Sequence, residues 1–132
     1  MRSQLTTAVI YLAGAIALTW RTLGSLGELV PGSRGTDVWN SMWSLNHWAT
    51  ALADGTRPWL TTALNFPDGG SVLISDPMGA TLVAPVVWLL GPATGFTILV
   101  WFQLAFSGWV THRFAAEFLV WRRGTGDPGW GP

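Results

Sequence analysis

Between Ala93 and Thr111 the chain runs nineteen residues without an ionisable side chain, ATGFTILVWFQLAFSGWVT, before reaching His112 and Arg113. At about 1.5 Å of rise per residue, a helix of that length just crosses a hydrocarbon layer of roughly 30 Å with its backbone polar groups satisfied internally. A second uncharged run, the eighteen residues from Ser3 to Trp20, lies between Arg2 and Arg21. Between these runs the pattern changes period. Val38, Met42, Leu45, Ala49 and Leu52 recur at spacings of four, three, four and three, which aligns them on one face of a helix. Thr36 or Asp37 can cap its start, and Gly55 after Asp54 can end it. On another face Trp39, Trp43 and His47 form a stripe at i, i+4 and i+8, with Trp48 beside it, as expected for a helix in an interface or under other protein.

Residues 22–36 are punctuated by Gly24, Gly27, Pro31, Gly32 and Gly35 and read as a loop. Arg57-Pro58-Trp59 and Asn65-Phe66-Pro67-Asp68-Gly69-Gly70 read as an extended stretch and a tight turn. The twelve apolar residues 79–90 are too short to cross, and Gly91-Pro92 stops them. They predict an interfacial or re-entrant helix from near Met78 in which Pro85 is tolerated. The whole pattern predicts an all-α membrane protein. Its first transmembrane helix lies in 1–21, and an external segment 22–92 carries an amphipathic helix near 37–53 and a short interfacial helix near 78–90. The second transmembrane helix lies in 93–120, followed by a flexible cytoplasmic tail, 121–132.

Arginine placement orients this hairpin. Arg2, Arg113, Arg122 and Arg123 lie outside the segment between the spans, whereas Arg21, Arg34 and Arg57 share that segment with Glu28, Asp37, Asp54, Asp68 and Asp76. The expectation is a multi-pass protein of the cell membrane with both termini cytoplasmic, and with Trp20 and Trp121 at opposite interfaces. A cleavable leader ending near Ala17 is the alternative for the N-terminus, and a mature chain starting there would remove the first span.

Composition narrows the function classes. Ten Trp, sixteen Gly and eight Pro with 11% charged residues suit a chain part embedded in lipid and part loop. Seven Arg against seven acidic residues give no phosphate-binding field, so a nucleic-acid partner is not expected. Without Cys there is no disulfide framework and no thiolate metal site, and nothing identifies a cofactor. His47 has no second His at i+3 or i+4, so no local metal site is expected. Membrane lipid and other membrane helices are the partners that this composition suggests.

The order of features resembles the start of the GT-C fold glycosyltransferases: an N-terminal span, a glycine-punctuated loop, Asp37 with Trp39, Trp43 and Trp48, then Pro58, Phe66-Pro67-x-Gly69, an apolar half-helix ending in Gly91-Pro92 and a long span ending in arginines. The likeness covers roughly residues 5–123 and rests on order rather than on any one motif. It implies transfer of a sugar from a polyprenyl-phosphate carrier to an acceptor on the outer membrane face, with an acidic residue of the first external loop at the active site. Asp37 matches that position. A carboxylate there can accept a proton from the acceptor or help hold a cation beside the donor phosphate. As a plain helix cap it would instead contribute about 0.5 to 2 kcal/mol.

Trp39, Trp43, His47, Arg34 and Arg57 are the candidate substrate contacts, the arginines as receivers of a lipid phosphate. Each has a simpler reading, as interfacial ring, hydrogen-bonding imidazole or solvated loop charge. His112 and Arg113 read as headgroup anchors, Arg113 and Glu117 are spaced to pair, and Asp76-Pro77 reads as a turn. The tail after Arg123 cannot form a third span, whereas the resembled enzymes have many. The chain is therefore expected to be an N-terminal fragment, silent by itself. The rival is a small membrane protein whose Trp-rich external segment binds a partner protein, with Ala105 and Gly108 giving helix contact.

Overall fold

The computed structural model describes residues 2–32, 37–64, 67–72 and 76–124, with side chains described between 4 and 121. Five helices make up most of it: α1 (Arg2–Leu18), α2 (Trp20–Leu23), α3 (Val38–Ala53), α4 (Pro77–Leu90) and α5 (Pro92–Gly124). A two-stranded antiparallel ribbon, β1 (Leu60–Thr61) with β2 (Gly70–Ser71), pairs Leu60 with Ser71 and Thr61 with Gly70. The ribbon is an addition to the all-α expectation. Gly69 at φ 79° closes it, where a Cβ would lie 2.9 Å from the Thr61 carbonyl oxygen.

α5, at 33 residues, is the one helix among the described residues long and apolar enough to cross a membrane. The eighteen-residue first span expected from the sequence is not a single helix, because α1 ends at Leu18. The Thr19 hydroxyl donates to the Ala15 carbonyl at 2.9 Å and accepts from the Trp101 indole N–H at 2.6 Å. A side chain bonded back to the preceding turn competes with the helix ladder, and the chain restarts as the short α2.

α1 runs antiparallel to α5 from Trp101 onward. Gln4 shares a cleft with Glu117 and Trp121, Tyr11 packs on Gly108, and Thr19 meets Trp101. Trp20 and Trp121 consequently lie at opposite ends of the pair. The two uncharged runs are not level, however. His112 sits against Tyr11, with ring centroids 6.0 Å apart, near the middle of α1 rather than at its first residues. The N-terminal end of α5 therefore projects beyond α1, and α3 and α4 cover it. Leu45, Ala49, Ala80, Val83, Ala84, Val87 and Leu99 form that buried cluster, with Trp48, Phe96 and Ile98 against it.

The predicted amphipathic face of α3 is the one that packs, since Met42, Leu45 and Ala49 are buried, although Leu52 at the end of the stripe is exposed. Its end is a Schellman motif: Gly55 at φ 64° donates to the Leu52 carbonyl, and Thr56 donates to that of Ala51. Two indoles tie α3 to α4. Trp88 donates to the Ala49 carbonyl at 2.8 Å, and Trp48 donates to the Thr81 hydroxyl at 3.1 Å. Pro85 sits inside α4 without ending it. Gly108 lets α1 approach α5, because a Cβ there would run into the Tyr11 ring. Gly108→Leu is expected to lower stability by about 1 to 3 kcal/mol, read as a fall in the thermal midpoint in detergent. An unchanged midpoint would remove the α1–α5 contact from this account.

Candidate functional site

Asp37 occupies the N-cap position of α3, where its carbonyl accepts from the Ser41 N–H at 2.9 Å. Its side chain makes no capping hydrogen bond. The cap reading therefore holds for the backbone and not for the carboxylate, while Thr36 lies outside the described residues. Asp76 is the reverse case. It is the N-cap of α4, with Oδ1 accepting from the Gly79 N–H at 2.7 Å and Pro77 in the first turn, an arrangement that pre-sets the helix start. Its Oδ2 accepts from Gln103 Nε2 of α5 at 2.7 Å.

These two helix starts meet the same stretch of α5 and enclose a cavity of about 350 Å³. Asp37, Asn40, Ser44, Asp76 and Gln103 supply its polar wall, and Phe96 with Leu99 the apolar one. Ser44 is only 4% exposed and lines the cavity from the buried face of α3. The arrangement offers one engaged carboxylate, one carboxylate free of its cap, a hydroxyl and two amides beside a ring. That donor and acceptor set suits a neutral polyhydroxylated molecule. No group of three or more metal-ligating side chains occurs among the described residues.

The other sequence candidates lie elsewhere. His47 stacks on Trp43, with centroids 5.6 Å apart and planes 9° from parallel, and its Nε2 is 3.1 Å from the Leu60 carbonyl. A carbonyl only accepts, so Nε2 carries the proton and pins α3 to β1. Beyond it a shallow cavity of about 440 Å³ is lined by His47, Thr61, Thr62, Asp68 and Gly69. Trp39 and Trp43 are exposed and line neither cavity. Arg57 is exposed on the turn before β1, and Arg34 lies outside the described residues. Asp76, Ser44 and Gln103 were missed as site residues. Gln103 alone carried a signal, being an amide inside an uncharged apolar run. Comparison of the chain with protein-family models, with curated proteins and with solved structures gave no match.

Proposed function

We propose that this chain is a two-span membrane unit that supplies one wall of a glycosyltransferase site, where a sugar carried on a polyprenyl phosphate meets its acceptor at the outer face. Two arguments support the bilayer placement. Large apolar side chains face outward along α1, α4 and α5, among them Leu5, Leu18, Leu82, Leu89, Phe114 and Val120, a surface too extensive for water. The antiparallel α1–α5 pair also brings the arginines at both ends of the chain to one side, in line with both termini being cytoplasmic.

The observation that carries the functional reading is the convergence of Asp37 and Asp76 on one polar cavity at the outer end of the α1–α5 pair. Asp37, without a capping bond, is the candidate base for the acceptor hydroxyl. Asp76, held by Gly79 and Gln103, is positioned to orient a sugar hydroxyl. The test is transfer of labelled sugar from polyprenyl phosphate to acceptor in membranes carrying the intact gene product. No transfer above that of empty membranes, across the common polyprenyl-phosphate hexoses, would end the proposal. The rival reading, a partner protein docking on the external segment, draws on exposed Trp39 and Trp59. It requires that Trp39→Ala abolish capture of that partner while Asp37→Asn has no effect.

A further inference from the structure

The α1–α5 pair carries two clefts that share Trp109 in their lining, a groove in two halves that the proposed transfer does not use. Its inner half is a cleft of about 600 Å³ whose polar lining includes Gln4, His112, Arg113 and Glu117. Its outer half, about 530 Å³, is lined by apolar side chains such as Leu12, Ile16, Phe102, Ala105 and Phe106. The Trp109 ring belongs to both halves. From Trp109 to Ile98 the apolar half runs along eleven residues of α5, about 16 Å at 1.5 Å each, or half of a roughly 30 Å hydrocarbon layer.

We infer that this groove binds one anionic phospholipid of the inner leaflet, with its phosphate against Arg113 and His112 and an acyl chain in the apolar half. Three observations favour that occupant. Arg113 gives one guanidinium nitrogen to Glu117 at 2.7 Å, which leaves other N–H donors of the group for an anion. The sequence sets Arg2 at the start of α1 and Arg122 and Arg123 after Trp121, which with Arg113 makes four arginines against the two acids Glu117 and Asp127, so the two ends of the chain carry a basic excess. The Trp109 indole N–H is the one buried side-chain donor without a partner among the described residues. Trp109 lines both clefts, and a lipid's ester carbonyl, which accepts, is the group that would satisfy this donor. The inference rests on the bilayer placement proposed above.

The experiment is native mass spectrometry of the full chain from non-ionic detergent, titrated with dioleoyl phosphatidylglycerol or dioleoyl phosphatidylcholine. One phosphatidylglycerol per chain is expected, preferred by about fivefold or more, the ratio that one arginine at a charged headgroup supplies. His112→Gln with Arg113→Gln should erase the preference with helicity by circular dichroism unchanged, and Arg57→Gln should keep it. Ala105→Trp, which fills the apolar half, should weaken both lipids. Glycerol phosphate, a headgroup without chains, should not displace the lipid. Equal retention of the two lipids, a preference that survives the double variant, or displacement by glycerol phosphate would each overturn the site alone. A chain that enters liposomes of neither lipid would overturn the bilayer placement as well.

Discussion

Asp37→Asn is expected to lower sugar transfer by at least about 10²-fold, the usual contribution of a positioned general base. Asparagine keeps the shape of the side chain and its N-cap preference but cannot take the proton. The same change should move the thermal midpoint by less than about 2 °C, because the native carboxylate makes no capping hydrogen bond that asparagine would have to replace. That split between activity and stability separates a base from a structural residue. Asp76→Asn makes the contrast, since its carboxylate accepts from both Gly79 and Gln103. There a loss of about 1 to 2 kcal/mol in stability should accompany any loss of transfer. Measuring transfer and midpoint on both variants decides the assignment, and full activity in Asp37→Asn refutes it.

The second large effect is structural. Gly79→Val should cost about 2 to 4 kcal/mol, from overpacking together with a damaged cap. Gly79 is buried where α4 meets α5. A Cβ there would strike the Asp76 carboxylate and stand 2.6 Å from Leu99 Cδ1. The Asp76 side chain cannot yield without breaking its bonds to the Gly79 N–H and to Gln103, so cap, helix contact and cavity wall fail together. The expected readouts are a lowered unfolding midpoint and faster proteolysis between α3 and α4. Gly14→Ala on the open side of α1, where nothing lies within 4 Å of the new methyl, should show neither. Equal midpoints for the two variants would mean that α4 is not seated on α5 as described.

How much of this was readable in advance follows from the range of each interaction. α3, α4 and α5 announce themselves through local periodicity and stop signals: the stripe from Met42 to Ala49, Gly55 in the left-handed region, Pro77 at a helix start and Gly91 at a helix end. The break at Thr19 was hidden because its partner, Trp101, lies 82 residues away. The ribbon was hidden because strands of two residues have no periodicity to read. Asp37 stood out by position, whereas the cavity around it is assembled from α3, α4 and α5, and no single stretch of sequence displays it. His47 was singled out for its chemistry. Its tie to the Leu60 carbonyl depends on a turn that brings β1 back against α3, which spacing alone does not show.

The link between α4 and α5 has a consequence for biogenesis. Gly91 alone separates the two helices, at φ 84° and ψ 166°, a conformation reserved for glycine. With Val87 lying against Gly95, the reversal leaves no slack for one helix to settle without the other. A nascent chain emerging from the ribosome thus cannot fix α4 in place until α5 has followed it out. The two settle as one unit, and the cavity they share with α3 is complete only when both are in place.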